Sequence, residues 1–402
     1  MHDDTIALNK LFHEASQNNE SVAFLDAGLY KVTDTVYVPP GARIVGEGLA
    51  AVILATGDKF SNMSSPYPVV QVGKPGETGY IEMSDVVVST QGATAGAIMI
   101  EYNLNTPADP NTSNPDKPPS GLWDVHVRVG GFSGSQLQVA QCPATPDKVV
   151  SEVDPGCIAA HTSMHVTTSA GNVYIENSWL WVADHDMDDV KYNNNTQISV
   201  FAARGMLIQG TRVWLVGTSV EHHTLYQYQL LNATDVWMGQ IQTESPYYQP
   251  NPPAPGPFTD RNVDLRDPDF ASDCVAKTVD KAGVVTEAAL MLPGNPPCAM
   301  AWGLRILESK GVVIFGAGLY SFFNNYSTQC STKKSGENCQ ARIFYAESVM
   351  RNGTEQAGSL NLEVYNLNTI GSVSMATRLS HDVAFWHENN ATYASSVAVF
   401  HM

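Results

Sequence analysis

Hydrophobic and polar positions alternate along this chain in short runs, and turn residues cut each run after a few positions. Residues 21–48 (SVAFLDAGLYKVTDTVYVPPGARIVGEG) show the pattern first. Their strands are separated by Asp-Ala-Gly, Pro-Pro-Gly and Gly-Glu-Gly. A loose repeat follows, a turn residue and then three apolar or aromatic positions. It occurs at Asp85-Val86-Val87-Val88, Asp124-Val125-His126-Val127 and Ser178-Trp179-Leu180-Trp181. It recurs at Arg212-Val213-Trp214-Leu215, Asp235-Val236-Trp237-Met238 and Gly311-Val312-Val313-Ile314. The intervals are unequal, 34 residues from Leu180 to Trp214 and 23 from Trp214 to Trp237. Unequal coils of a parallel β-helix with loop insertions produce this pattern, and a β-sandwich with long hairpins resembles it. Only residues 4–17 read differently. Ile6, Leu8, Leu11, Phe12 and Ala15 fall near helical spacing after an aspartate cap. A helix there would cover the open end of a solenoid, where an unpaired first coil invites aggregation. The expectation is an all-β fold, a right-handed parallel β-helix forming one domain over residues 1–402, with an N-terminal cap within 1–20. Insertions are expected at 103–120, 141–157 and 246–300. The last starts just after Glu244 and carries two cysteines, so it is expected to wall a pocket beside that glutamate, with plain surface decoration as the alternative.

Composition narrows the partners. Charged residues make up only 15%, and the net charge is −18. That balance opposes nucleic acid, anionic membranes and polyanionic substrates, whereas a neutral polysaccharide fits. No apolar run is long enough for a signal or transmembrane segment, and Met1-His2-Asp3-Asp4 lacks a basic start. The six cysteines form neither a CxxC pair nor a zinc-spaced cluster. Disulfides between sequence neighbours (142–157, 274–298, 330–339) are expected among fifteen connectivities. Asn19, Asn62, Asn111, Asn194, Asn232, Asn325, Asn352 and Asn390 all stand in Asn-x-Ser/Thr, which points to a secreted glycoprotein.

The candidate chemistry lies between Thr218 and Pro250, TSVEHHTLYQYQLLNATDVWMGQIQTESPYYQP. Glu221 and Glu244 are 23 residues apart, about one coil, with an Asn-Ala-Thr-Asp turn between them. Strands stack at about 4.8 Å, so the two carboxylates are expected on one wall. A carboxylate pair in a sugar-sized cleft is what glycosidic cleavage requires. Alternation allows at most one of His222 and His223 to share the glutamate's surroundings. A second cluster runs from Trp179 to Asp189. Trp179 and Trp181 should share a face suited to sugar rings, with Asp184, His185 and Asp186 beside them for hydroxyls. No partner cluster at metal spacing accompanies it, and no metal or cofactor is expected. The Asp188-Asp189 pair lacks the Gly-His-Gly and Arg-x-Lys that polygalacturonases need, and the acidic balance suits a pectate lyase poorly.

The segments SVEHHTLYQYQL and GQIQTESPYYQP resemble the active-site region of glycoside hydrolase family 55, the fungal-type exo-β-1,3-glucanases. The resemblance implies two tandem β-helices, inversion, and glucose released from the non-reducing end of β-1,3-glucan or laminari-oligosaccharides. It implies Glu244 as general acid and Glu221 as the group orienting water. Trp181, Asp184, His185, Asp186, His223, Gln242 and Tyr247 are the expected substrate contacts. Only the second half of the family's length is matched, so the expectation is the C-terminal half of a longer secreted protein, its first half a possible separate partner. A β-helix that binds β-glucan without cleaving it is the alternative.

Overall fold

A computed structural model describes residues 2–18, 20–107, 120–189, 191, 196–279, 285–289, 292–351, 354–378, 381–390 and 393–402. Most of the expected 103–120 insertion and the sequons at Asn19, Asn111, Asn194 and Asn352 lie outside the described residues. The fold is a parallel β-helix. Strands join a 14-stranded and an 11-stranded sheet, and each strand pairs mostly with its counterparts one coil before and one coil after. The site is carried by eight strands of the larger sheet: β1 (Gly121–Val129), β2 (Gly171–Glu176), β3 (Trp179–Val182), β4 (Thr211–Val216), β5 (Ser219–Glu221), β6 (Thr234–Glu244), β7 (Lys310–Tyr320) and β8 (Leu360–Ile370).

Stacking sorts side chains into columns. Val173, Val213, Val236, Val312 and Leu362 lie in register and are fully buried, as are Ile175, Leu215, Met238, Ile314 and Val364. Burial of such columns, at roughly 25 cal/mol per Å² of apolar surface, is the main favourable term in a solenoid, where each coil touches only its neighbours. The first coil is closed by α1 (Thr5–Ser16), which buries Leu8, Phe12 and Ala15 against the strands Val36–Val38 and Arg43–Gly46. Its first turn is held by Asp3, whose Oδ1 accepts from the Thr5 amide at 3.0 Å, while Asp4 Oδ2 accepts from the Lys31 amide.

Two corner columns explain the repeat in the sequence. Asn172, Arg212, Asp235, Gly311 and Asn361 are the second residues of β2, β4, β6, β7 and β8 and stack in register, all with φ between 54° and 66°. A second column comprises Asp85, Asp124, Asn177, Gly217, Gln240, Gly316 and Asn366, with φ between 51° and 80°. Left-handed backbone costs an ordinary L-residue about 1–2 kcal/mol, which explains why glycine, asparagine and aspartate predominate. The two columns also correct the alignment of the repeat. Trp179–Trp181 stacks on Ser219–Glu221, whereas β4, which the repeat matched to it, stacks on β2.

The three nearest-neighbour disulfides are those of the structure. The 246–300 insertion differs from expectation in its course. Among its described residues, Tyr247 meets Glu244 and His222 at the wall, while a later part follows the other sheet. Leu265 packs on Leu207, Leu231 and Leu307 of the smaller sheet, and Arg204 forms a buried bidentate pair with Asp267. Buried arginines whose fork is satisfied in this way pin a loop, because removing the partner strands a charge.

The left-handed corners bear directly on stability. Gly217 and Gly28 both have open space where a Cβ would be, but only Gly217 is left-handed, at φ +61°. Gly217→Val should lower unfolding stability by about 1–2 kcal/mol, and Gly28→Val should stay within about 0.5 kcal/mol of the parent. Urea midpoints check both, and equal effects would contradict the corner's role.

Candidate active site

Beyond the second corner the strands present a wall of outward side chains in two rows. One row runs Arg128, Trp181, Glu221, Glu244, Tyr320 and Ile370, each in register with the next. The other contains Trp179, Ser219, Gln242, Gly318 and Asn368. Glu221 and Glu244 are therefore direct neighbours on adjacent coils. Trp179 and Trp181 stack with centroids 5.0 Å apart beside them.

The two carboxylates have unlike surroundings. Glu221 is 9% exposed, and its oxygens accept from Trp179 Nε1 at 2.9 Å and Ser219 Oγ at 2.7 Å. Burial, helped by the Glu244 charge, pushes its carboxyl above the usual range. Glu244 is more open. Its Oε2 accepts from Tyr247 Oη at 3.3 Å and its Oε1 from Gln242 Nε2 at 3.4 Å. The Tyr247 ring stacks on Phe323 and meets His222 edge-on. Burial and three nearby carboxylates hold its phenol well above the usual value.

His222 is the residue that sequence reasoning missed. Its Nε2 lies 3.5 Å from Glu244 Oε2. Its Nδ1 lies 2.9 Å from the Val182 carbonyl and 3.5 Å from Asp184 Oδ1. Burial alone would lower its pKa, but Asp184, Glu244 and Glu221 outweigh burial and raise it to about 9. His223 is corrected: it does not face the wall. It is fully buried, bonded to Ser163 Oγ at 2.6 Å and to Gln227 Oε1, and burial drives its pKa down to about 3. The physical reason is the backbone. His222 has φ 68°, which ends the alternation of β5 and turns the first histidine, not the second, toward Glu244.

Asp184 stays close to the wall, accepting from Trp181 Nε1 at 3.0 Å and pairing with His185. Burial works against its ionisation, but His222 and His185 hold its pKa below the usual carboxylate value. His185 lies edge-on to Tyr247 at 5.9 Å. Asp186 stands apart. It is 1% exposed and its oxygens accept from the Val139 amide, Gln138 Nε2 and the Asp188 amide, so it ties down a turn. Trp181, Asp184, His185, Gln242 and Tyr247 thus gather around the carboxylate pair, while His223 and Asp186 are directed elsewhere.

A family model described as "LAM55 pectate lyase-like domain" matches residues 5–250. The chain is 42% identical over 98% of its length to a "Glucan 1,3-beta-glucosidase" of Cochliobolus carbonum. The chain belongs to the LAM55 family. It is also 37% identical over 99% of its length to a "Probable glucan endo-1,3-beta-glucosidase" of Arthroderma benhamiae. It spans less than half of these relatives, 44% and 40% respectively. The β-helix of this LAM55 chain is matched by the solved structure of sacteLam55A from Streptomyces sp. SirexAA-E. That match has a TM-score of 0.50 and 16% identity, and covers 98% of this chain and 53% of the other.

The raised pKa of His222 has a consequence for stability. It lies above the unfolded value of 6.5, so the stabilisation it brings is complete below pH 6.5 and disappears as pH rises through about 9. The melting temperature should fall between pH 6.5 and 9.5, and His222→Gln should flatten that part of the curve. An unchanged slope in the variant would contradict the charged assignment.

Proposed function

We propose that this chain carries the cleft wall of a β-1,3-glucan hydrolase, with Glu244 as general acid and Glu221 orienting the attacking water. The observation that carries the reading is the register pair Glu221–Glu244 on adjacent coils, flanked by the stacked Trp179 and Trp181. Cleavage needs a protonated carboxyl at the leaving oxygen and a second group on the opposite side of the anomeric carbon. Glu244 suits the first task because its carboxyl is the more open of the two and lies under the Tyr247 hydroxyl. Trp179 Nε1 and Ser219 Oγ fix Glu221 from behind. Trp181, Asp184, His185, Gln242 and Tyr247 are proposed to hold the sugar through ring stacking and hydroxyl contacts. The names of the aligned relatives, all longer than this chain, support the substrate class.

We propose an exo-acting, inverting reaction, with further water-holding groups supplied by a second β-helix. The backbone register alone, about 4.8 Å from coil to coil, is nearer the separation of about 5–5.5 Å in retaining enzymes than the 6.5–9.5 Å of inverting ones. Proton NMR of the first product settles this. Glucose should appear initially as the α-anomer, and initial β-glucose would make Glu221 a nucleophile. Three disulfides and the exposed sequon asparagines Asn62, Asn232 and Asn390 support a secreted glycoprotein. Among the described residues no helix is long and apolar enough to cross a membrane.

A second assignment of roles has one observation in its favour: the deeper burial of Glu221 raises its pKa and so favours its protonated form. Glu244→Gln separates the two. The substitution should lower kcat on laminarin by about 10²–10⁴-fold. The loss should be much smaller on a dinitrophenyl glucoside, whose leaving group needs no acid. If Glu221→Gln shows that leaving-group dependence instead, the roles are exchanged.

A further inference from the structure

On the other side of the second corner from the carboxylates, the same strands carry a belt of aromatic side chains. Trp123, Tyr174, Trp214, Trp237, Phe315 and Tyr365 all project outward from β1, β2, β4, β6, β7 and β8. They cover six successive coils, about 24 Å at the strand spacing. Tyr174, Trp214 and Trp237 are direct register partners, as are Phe315 and Tyr365. Trp123 and Tyr174 meet at 5.8 Å, Trp237 and Phe315 at 6.3 Å, and Phe315 and Tyr365 at 4.8 Å. Trp214 is 39% exposed and Phe315 46%.

Folding does not require rings here, because the interior columns lie on the opposite face of these strands. One position even carries a local cost to accommodate a ring. Gly239 is a mid-strand glycine outside the left-handed region, a choice that destabilises a strand by about 0.5–1 kcal/mol. A Cβ at Gly239 would come within 2.3 Å of the Trp237 ring, which leans along the strand over it. Across the corner Gly318 does the same for Tyr320, where a Cβ would lie 2.6 Å from the hydroxyl. The belt and the carboxylate wall therefore share a device that lays an aromatic ring down on the sheet.

We propose that this belt is a second carbohydrate-binding surface, which holds a neutral β-1,3-glucan chain outside the catalytic cleft. It rests on the preceding reading for the identity of the polymer. Its own observations point to a sugar polymer. The exposed groups are aromatic, matching the apolar faces of pyranose rings. Tyr174 and Tyr365 donate to Glu176 and Glu363, so oriented carboxylates stand beside the rings to receive hydroxyl hydrogens. A net charge of −18 opposes a polyanion. The belt joins the wall through the corner, so a polymer held there is kept at high local concentration beside the carboxylates.

The test is retention of the 402-residue chain on insoluble linear β-1,3-glucan (curdlan), with saturating laminaritriose present to occupy the cleft. The parent chain should be retained. Trp214→Ala/Phe315→Ala should weaken retention about tenfold with an unchanged melting temperature. Should the double variant fail to fold, Trp214→Ala alone should weaken it about threefold. Equal retention of parent and variant, or no retention of the parent, overturns the proposal. So does unchanged retention accompanied by a fall in sedimentation coefficient, which would assign the belt to protein contact. Laminaritriose hydrolysis is read separately. A chain retained through its belt yet inactive loses the reaction and keeps the surface, and an active chain whose belt variants bind curdlan normally loses the surface alone.

Discussion

Parallel backbone pairing from one coil to the next is the constraint on which the rest depends. In such a ladder a slip of one residue would turn every outward side chain inward. The buried columns of valine, leucine, isoleucine and methionine forbid the slip. Once the interior fixes register, the outer face is fixed too. Glu221 must then sit on Glu244, Ser219 on Gln242 and Trp179 on Ser219. The site is thus a consequence of core packing, read out on the opposite face of the same strands.

The left-handed corners give that ladder its shape. Each long strand, such as β6, carries one at mid-length, Gln240 in that case. The corner separates the aromatic belt from the carboxylate wall while keeping both in one register. A third left-handed residue, His222, does chemical rather than architectural service. Its backbone turn brings a cationic imidazole between Asp184 and Glu244, next to the Glu221 carboxylate. A buried cation there offsets the repulsion that stacked carboxylates would otherwise suffer.

Much of this was legible in the sequence, for identifiable reasons. The 23-residue interval between Glu221 and Glu244 equals that between Trp214 and Trp237, and both pairs stack. The cysteines bond to their sequence neighbours because each pair closes a single loop. The alignment of Trp179–Trp181 with β4 failed because two corner columns carry the same signature, a left-handed residue before an alternating apolar run. Only the register distinguishes Asn177 from Arg212. The choice of His223 failed because alternation was carried one residue too far, through a histidine that tolerates positive φ. Asp186 was legible as a polar residue near the wall, but its hydrogen bonds to residues 138–139 depend on a loop 47 or 48 positions away. The course of the 246–300 insertion was hidden similarly. Leucines on the outer face of the smaller sheet and Arg204 capture it, and no local pattern shows that.

In the proposed reaction Glu221 and Glu244 face one glycosidic bond. A crystal structure of the Glu244→Gln chain soaked with laminaritriose tests it most directly. A glycosidic oxygen is expected within hydrogen-bonding reach, about 2.6–3.2 Å, of the residue 244 amide, with a sugar ring against the wall carrying Trp181 and Tyr247. Trisaccharide bound on another face, with the wall between Trp181 and Tyr320 empty, would contradict it.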